Sequence, residues 1–327
     1  MSVQNGDIEK EIDDLAYGLC NFHGIGTSQS SSEEYIWQDD EYFGQYGCLK
    51  LHHEMLSDKP RNLAYLFAIQ KNSKLLHNKI VLDVGCGTGI LSLMVAKYAQ
   101  PKQIYAVEAS DMAEHAVSIV KRNGYSDIIN VIHSYVEDVE IDEKVDLIIS
   151  EWMGTVLLFE MMIESVVKAR DKYLKDDGTV WPSSASLYLV PCAAASVYSS
   201  KVEFWEDQYG FDFSPLKHVA KQELIGRPVH NHVLDIKDCF SDEQRLFNLD
   251  MKSVTLLTHW KQNLFIIDEA ITVECDDIIT GSYNLYRNKE WRRHLFVKIN
   301  FKLQRKDEIL NTVEKKYSIW RPEEEKS

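Results

Sequence analysis

Two glutamates stand nine positions apart in the segment EWMGTVLLFE. Glu151 directly follows the apolar run Val145–Ser150, and Glu160 closes the segment. The run is typical of a buried strand, and ligands of open α/β sheets bind beyond the carboxyl ends of such strands. Two carboxylates that face one pocket repel each other, and a bound guanidinium with its fork of N–H donors relieves that repulsion. The pair therefore predicts a site for a planar cation, and the alternative is two solvated charges on a loop.

A short glycine-rich segment, Gly85–Gly89, stands between a predicted strand and a predicted helix. The β-branched run Ile80–Val84 precedes it, Ile90–Ala99 follows it, and a second short strand, Ile104–Val107, ends in Glu108. Closely spaced glycines allow a tight turn and a close approach of a ligand to the backbone. An acid at the tip of the second strand can bind both hydroxyls of a ribose. The segment therefore predicts a nucleoside site, and the alternative is a glycine turn that binds nothing.

The composition narrows the class of protein. With 327 residues, of which 45% are hydrophobic, the chain can form one large domain or two ordinary ones. A net charge of −15 disfavours nucleic-acid binding and favours basic ligands, although acidity can also serve solubility alone. No apolar run has the length of a membrane span and Met1–Asp14 is polar, so we expect an intracellular protein without membrane association. The six cysteines include no C-x-x-C pair, which argues against a metal site or a disulfide framework.

Changes in sequence character divide the chain into three parts. Residues 1–40 are polar with little periodicity, and we expect most of them to be a disordered tail. Residues 41–191 combine N-terminal helices, interrupted at Pro60, with alternating strands and helices that predict a Rossmann-like α/β domain. In residues 192–327 that alternation stops: an aromatic and charged stretch, Tyr198–Leu224, predicts a helical protrusion, and the strands after it predict a β-sandwich or barrel.

The periodicity also predicts individual elements around the two motifs. Met112–Asn123 has the pattern of a helix that Gly124 closes, and Phe159–Leu174 has the pattern of a second helix. Asn130–His133 and Ile271–Val273 have the β-branched composition of short strands. The first three of these elements belong to the α/β domain, and the fourth belongs to the predicted barrel.

Three separated motifs resemble those of the type I protein arginine N-methyltransferases, and the resemblance extends from about Glu41 to the end of the chain. Glu41–Tyr46 (EYFGQY) resembles the aromatic motif that folds over the cofactor, Ser150–Glu160 resembles the double-Glu hairpin, and Thr258–Gln262 (THWKQ) resembles the Thr-His-Trp loop. The glycine turn resembles motif I of S-adenosylmethionine-dependent methyltransferases. The resemblance implies a Rossmann-like methyltransferase domain followed by a β-barrel domain with a helical dimerisation arm.

The same resemblance implies roles for single residues. Glu151 and Glu160 would grip the substrate guanidinium, and His259 would support the loop on the substrate side. Arg61 can pair with the methionine carboxylate in a bidentate fork. The cofactor S-adenosylmethionine, whose product is S-adenosylhomocysteine, would be bound by His52, Arg61, Gly85, Gly87, Glu108 and Glu137. Glu108 would hold the ribose hydroxyls and Glu137 would lie near the adenine amino group, and no metal is implied.

The resemblance further implies a reaction, binding partners and a subcellular localisation. The expected reaction is asymmetric dimethylation of arginine in histone tails or other arginine-rich proteins, with a role in transcription and chromatin regulation. The expected assembly is a homodimer, or a heterodimer with a related arginine methyltransferase, formed through the arm at residues 198–224. Residence in the nucleus and the cytoplasm is expected, and direct nucleic-acid binding is not.

Two departures from the family pattern leave alternatives open. Thr155 and the segment Trp291–His294 agree with a branch whose members begin with a Src-homology 3 domain, for which residues 1–40 are too short and too polar. Met251–Thr255 runs almost directly into the Thr-His-Trp loop, where relatives have several barrel strands, so we expect a shortened barrel. A weak or inactive variant that acts as a regulatory subunit of a full-length relative is one alternative function, and a small-molecule methyltransferase is another.

Overall fold

The computed structural model describes residues 36–251, 262–288, 291, 293–306 and 308–319. Four helices come first along this part of the chain: α1 (Ile36–Tyr46), α2 (Leu49–Ser57), α3 (Lys59–Lys71) and α4 (Ser73–Leu76). The boundary between α2 and α3 lies where the sequence predicts an interruption, because Pro60 stands in the first turn of α3 and Asp58 caps that turn. Helix α1 begins at Ile36, ahead of the predicted start of the ordered region at residue 41.

A five-stranded parallel sheet follows, and it confirms the predicted α/β fold. Its strands are β1 (Ile80–Val84), β2 (Gln103–Glu108), β3 (Ile129–His133), β4 (Val145–Ile149) and β5 (Leu174–Trp181). They lie in the order β3-β2-β1-β4-β5. The strand order reverses between β1 and β4, and ligands of open α/β sheets bind at that point, beyond the carboxyl ends of the strands. The predicted glycine turn, Glu108 and Glu151 all lie at this edge because they follow β1, end β2 and follow β4.

Helices cover both faces of the sheet, which is why β1 is buried at every position. These helices are α5 (Ile90–Ala99), α6 (Met112–Arg122) and α7 (Ile163–Tyr173). Side chains of α3, α5 and α6 form one apolar cluster with the sheet. The other face continues into the strands of the second half of the chain, so that one cluster joins residues such as Ile148 and Val166 to Val297 and Tyr317.

The second half contains three small antiparallel sheets within the described ranges. Strand β6 (Ser184–Leu189) pairs with β8 (Gln244–Asp250), and β7 (Val229–His232) pairs with β9 (Gln262–Leu264). The third sheet consists of β10 (Ile278–Arg287), β11 (Leu295–Arg305) and β12 (Glu308–Ile319). The predicted protrusion lies between β6 and β7 and contains α8 (Ala195–Lys201) and α9 (Lys217–Gly226), with the 3-10 turns Glu203–Glu206 and Ser214–Leu216 between them.

Two predicted elements differ from the structure. The predicted helix Phe159–Leu174 begins only at Ile163, because Glu160 and Met161 have the left-handed φ values +76° and +55°. The segment Ile271–Val273 forms no strand, although its composition is apolar and β-branched. None of the helices in the described ranges combines the length and the apolar character that a membrane crossing demands.

Candidate active site

Glu151 is positioned by the hydrogen bonds that fix the end of β4. The preceding residue, Ser150, donates its N–H to Trp181 O at 3.0 Å and its hydroxyl to Val84 O at 2.7 Å, so both neighbouring strands hold it. Tyr65, which is buried in α3, donates its hydroxyl to Ser150 O at 3.0 Å. These hydrogen bonds fix the backbone at the end of β4. They therefore position Glu151 at the carboxyl edge of the sheet.

The Glu151 carboxylate already binds a guanidinium of this chain. Arg61 donates from Nε at 3.1 Å and from Nη2 at 2.8 Å to Glu151 Oε2, and Met153 N donates to Oε1 at 3.3 Å. Burial raises the pKa of Glu151, the positive charge of Arg61 opposes that rise, and the nearby negative charge of Glu160 adds to it. The two glutamates are thus close enough to influence each other electrostatically, as the sequence predicts.

The loop between the two glutamates is strained. Gly154 and Leu157 exchange both backbone hydrogen bonds at 3.0 Å, which makes a tight turn. Val156, Leu157, Glu160 and Met161 adopt left-handed φ values of +47°, +70°, +76° and +55°. Residues other than glycine and asparagine rarely adopt this backbone conformation, and each one lowers the stability of the folded state by about 1–3 kcal/mol. Such strain persists only where surrounding contacts fix the backbone, and it clusters at functional sites.

Two tyrosines of α1 fix the carboxylate of Glu160. The hydroxyls of Tyr42 and Tyr46 both donate to Glu160 Oε2 at 2.7 Å. Burial, together with the negative charge of Glu160, raises the pKa of Tyr42 well above its ordinary value, so its hydroxyl stays protonated and donates. Helix α1 thereby closes over the edge of the sheet, and the aromatic motif at residues 41–46 takes part in the site through its hydroxyl groups.

At two positions of the glycine turn, Gly85 and Gly87, the backbone lies close to side chains from other parts of the chain. Gly85 has φ +69°, a conformation that strains any other residue, and a Cβ there would lie 2.3 Å from Met162 Cε, so the methyl group of Met162 would have to move. Gly87 has φ +54°, and its N–H donates to Glu108 Oε2 at 2.8 Å. Ser110 donates its N–H and its hydroxyl to the other carboxylate oxygen, Glu108 Oε1, at 2.8 and 2.7 Å. The tip of β2 and the turn after β1 are therefore joined through one carboxylate.

The remaining predicted cofactor residues lie on either side of this turn. His52 is buried, it donates from Nε2 to Tyr46 O at 2.7 Å, and a Cβ on Gly87 would lie 3.1 Å from its Cε1. Glu137 accepts at Oε1 from Ser165 Oγ at 2.9 Å and from Lys168 Nζ at 3.4 Å. His52 thus packs directly on the glycine turn, whereas Glu137 is held by the N-terminal half of α7.

The structure brings most of the predicted site together at one edge of the sheet. Glu151 and Arg61 share a hydrogen bond, and His52, Gly87 and Glu108 are connected through the glycine turn. His259 lies outside the described residues. The sequence motif did not reveal that Tyr42 and Tyr46 hold Glu160, although tyrosines four positions apart lie on the same side of a helix and could have indicated a shared partner.

A large cavity opens on the other side of the glutamate pair, towards the antiparallel strands. Its volume is about 2130 Å³, and its walls include Tyr46, Arg61, Glu151 and Glu160 on one side and residues of β6, β9, β10 and β11 on the other. Carboxylates outnumber cationic side chains among the lining residues. The cavity can therefore admit a large, positively charged ligand to the two glutamates.

Comparisons with protein families agree with this arrangement. Residues 183–257 and 255–307 match the arginine methyltransferase oligomerization subdomain, and residues 62–180 match the TRM5/TYW2 methyltransferase domain. The two stretches of the first match meet at residues 255–257, where the sequence predicts a missing segment.

Named relatives and solved structures lead to the same family. The chain is 43% identical to human protein arginine N-methyltransferase 2 over 360 positions, which cover 93% of this chain and 83% of that protein. The Xenopus laevis protein of the same name is 41% identical and is covered to 77%, with 87% of this chain matched.

Among solved structures, Arabidopsis thaliana protein arginine methyltransferase 10 aligns with a TM-score of 0.72 at 28% identity, covering 85% of this chain and 100% of that one. The Trypanosoma brucei PRMT1 enzyme–prozyme heterotetrameric complex with AdoHcy aligns with a TM-score of 0.72 at 26% identity, covering 84% and 100%. The sequence identity, the coverage and the shared fold together show that this chain belongs to the protein arginine N-methyltransferase family.

Proposed function

We propose that the chain transfers methyl groups from S-adenosylmethionine to the guanidinium nitrogens of arginine in proteins, as a type I enzyme that forms asymmetric dimethylarginine. Membership of the family supports arginine methylation. Arginine-rich substrates such as histone tails fit the net charge of −15, because an acidic protein attracts basic ligands. The excess of carboxylates over cationic side chains around the cavity beside the glutamate pair adds to that attraction.

The observation that carries the proposal is the state of the two glutamates. Glu151 is a carboxylate with only 15% of its side chain exposed that binds the guanidinium of Arg61, and Glu160 is held towards the same edge by two tyrosine hydroxyls. The contact with Arg61 supports the proposal that Glu151 can accept a guanidinium. A second guanidinium, entering from the cavity, would find the carboxylate oxygens of both residues as acceptors, and it would offset the repulsion between them.

The residues at the carboxyl edge also fit S-adenosylmethionine. Gly85 and Gly87 adopt the positive φ values that favour glycine, Glu108 lies at the tip of β2, and His52 packs against the turn. Arg61 is the cation at this edge that would bind the methionine carboxylate while it keeps its contact with Glu151. The Trypanosoma brucei neighbour was solved with AdoHcy, the demethylated form of this cofactor. When bound, S-adenosylmethionine supplies an electrophilic methyl group on a sulfonium.

The side chains of this protein would make the arginine nucleophilic. The guanidinium charge is delocalised over three nitrogens, so each lone pair is a weak nucleophile. Glu151 and Glu160 would hold the positive charge on the nitrogens that they bind, and would leave the third nitrogen oriented for attack. Both carboxylates are fixed before the substrate arrives, by Met153 and Arg61 in one case and by Tyr42 and Tyr46 in the other. Positioning and preorganised charge would therefore supply the rate enhancement.

The test is to remove one charge at a time. Glu151→Gln and Glu160→Gln keep the shape of each side chain, and loss of one partner of a buried charged pair costs about 2–5 kcal/mol. Methyl transfer to an arginine peptide, measured with radiolabelled cofactor, should fall at least about thirtyfold for each variant. The double variant should lose less than the product of the two effects, because both residues act on one group.

Two controls make this result specific. Glu314→Gln changes an exposed glutamate of β12 that is not among the residues lining this cavity, and we expect it to leave turnover unchanged. Calorimetry should show that Glu160→Gln binds S-adenosylmethionine as the parent does, because Glu160 contacts the tyrosines of α1 and is not assigned to the cofactor. Near-full turnover in both single variants of an active parent would show that the charges of Glu151 and Glu160 do not contribute to methyl transfer.

The shorter second half of the chain favours a second candidate function, that of a regulatory subunit. The alignment to human protein arginine N-methyltransferase 2 spans 360 positions, which is more than the 327 residues of this chain, so the relative carries segments that this chain lacks. The antiparallel strands form three separate sheets in the described ranges. We therefore propose, as the alternative, a regulatory subunit with little activity of its own that pairs with a full-length relative. A radiolabel assay on arginine peptide and on free small amines, with and without such a relative, separates these functions from a small-molecule methyltransferase.

A further inference from the structure

Arg293 joins three segments that are far apart in the sequence. It lies in the turn between β10 and β11, and its side chain is 16% exposed. Its guanidinium donates from Nε at 3.1 Å and from Nη2 at 2.8 Å to Asp39 Oδ1 in α1. Its third nitrogen, Nη1, donates to the backbone oxygen of Glu160 at 2.9 Å. One side chain thus connects the strand hairpin, the first helix and the glutamate loop.

The backbone of Glu160 is held from both sides by the same residue. Besides accepting from Arg293 Nη1, Glu160 donates its N–H to Arg293 O at 3.0 Å. This is the residue with φ +76°, a conformation that glutamate does not maintain without external contacts. The two hydrogen bonds fix the peptide groups on either side of its Cα, and so they fix the direction in which the side chain leaves the loop.

Arg293 also packs against aromatic rings of α1, the helix whose two tyrosine hydroxyls bind the Glu160 carboxylate. The centre of its guanidinium lies 3.9 Å from the ring centroid of Tyr42 and 5.1 Å from that of Phe43. A guanidinium over an aromatic face is attractive, and the contact strengthens when water is excluded. Because Asp39, Tyr42 and Phe43 all lie on α1, the cation holds this helix against the loop, with the hydroxyls of Tyr42 and Tyr46 at 2.7 Å from Glu160 Oε2.

The hairpin turn that carries Arg293 is itself packed against the loop. The ring of His294 stacks on Trp291 with centroids 5.1 Å apart and an interplanar angle of 12°. The same imidazole lies 5.8 Å from the ring of Phe159, the residue directly before Glu160. Trp291 and His294, to which the sequence assigns no role, therefore pack beside Arg293 and connect it to the glutamate loop through Phe159.

We propose that Arg293 is a positioning residue for the reaction: it holds α1 closed over the site and fixes Glu160 in the conformation that receives the substrate guanidinium. The inference rests on the proposed function for its catalytic part. Lysine cannot replace this arginine, because three separate guanidinium nitrogens are in use and an ammonium group cannot reproduce the planar fork.

The first experiment measures hydrogen exchange, which does not depend on activity. Arg293→Ala and Arg293→Lys should both raise the exchange rate of the backbone amides in residues 38–46 at least about tenfold, because α1 loses its anchor. Asp39→Asn removes one partner from the other side, and it should shift the same amides in the same direction even if the Arg293 variants fold poorly. Unchanged exchange in these amides in every folded variant would overturn the proposal, whatever the activity of the parent.

The second experiment tests the link to Glu160. Arg293→Ala should lower kcat at least about tenfold, and in the Glu160→Gln background it should have little further effect, since both changes disturb the same carboxylate. Independent, multiplying effects on kcat would show that Arg293 does not act through Glu160, and an unchanged kcat in Arg293→Ala would show that it serves stability alone; either result would overturn the proposal. Arg305→Ala is the matched control, because Arg305 makes a two-nitrogen contact with Asp277 at the opposite end of the same two strands. It should change neither the exchange of residues 38–46 nor kcat.

Discussion

Asp83 is a titratable group with an unusual environment at the end of β1. It is fully buried, and its Oδ2 accepts from the N–H of Ser92 at 3.2 Å and from its hydroxyl at 2.7 Å. Its Oδ1 is buried without a hydrogen-bond partner in the described part of the chain. Burial outweighs the two hydrogen bonds and raises the pKa of Asp83 from 3.8 to about 7. The ionised form of Asp83 is therefore disfavoured in the folded protein at pH values below about 7.

This environment predicts a pH dependence of stability. Between pH 3.8 and about 7 the folded protein binds the Asp83 proton and the unfolded chain does not, so the free energy of unfolding falls as the pH rises through that window. The gap between the two pKa values corresponds to about 4 kcal/mol. Asp83→Asn cannot titrate, so urea unfolding should show its stability relative to the parent rising by about that amount between pH 4 and pH 8. A pH-independent difference would contradict this account.

At the scale of elements, the glutamate loop depends on one glycine. Gly154 forms the tight turn with Leu157, and a Cβ on it would lie 2.1 Å from Phe159 O, a backbone atom that cannot move aside alone. Gly154→Ala should therefore displace the segment that ends in Glu160. A displacement of about 1 Å in a positioned group can reduce the rate about a hundredfold. We expect kcat on an arginine peptide to fall at least about tenfold, while calorimetry shows cofactor affinity close to that of the parent.

Gly226→Ala is the matched control for this prediction. A Cβ on Gly226 would have no atom within 4 Å, and the residue ends α9, away from the glutamate loop. The control should therefore keep parental kcat. If Gly154→Ala turned over the peptide as fast as Gly226→Ala does, the conformation of this loop would have no influence on the reaction.

The conformation of the glutamate loop, unlike that of the strands around it, does not follow from the local sequence pattern. Strands β1, β2 and β4 follow from β-branched runs, because a strand buried on both faces needs apolar residues at every position. The same local pattern places a helix at Phe159, whereas α7 begins at Ile163. Of the two left-handed residues between them, Glu160 is held by Arg293, which lies 133 positions away in the chain. Contacts at such separation leave no periodicity in the sequence, so the pattern predicts the two glutamates but does not predict the hydrogen bonds between Arg293 and the backbone of Glu160.

At the scale of the whole molecule, the protruding segment between β6 and β7 exposes large aromatic side chains. Tyr209 is 98% exposed and Phe211 is 69% exposed, on a turn where Gln208 and Phe211 exchange backbone hydrogen bonds. Exposed aromatics in a defined turn are typical of interface anchors. The segment also lies inside the match to the arginine methyltransferase oligomerization subdomain, at residues 183–257. We infer that the chain forms a dimer through this arm, as the sequence predicts.

Replacing both aromatics should dissociate that dimer. Truncation of an anchor residue typically costs about 2 kcal/mol or more, so Tyr209→Ser combined with Phe211→Ser should weaken association roughly a thousandfold. Light scattering at micromolar concentration should then report a dimer for the parent and a monomer for the variant. Tyr188→Ser, which changes a half-exposed tyrosine of β6 outside the arm, should remain dimeric. Because neither arm residue belongs to a core cluster, thermal unfolding of the isolated variant should stay cooperative. A monomeric parent would contradict the inferred dimer, and a variant that remains dimeric would place the contact between copies elsewhere on the molecule.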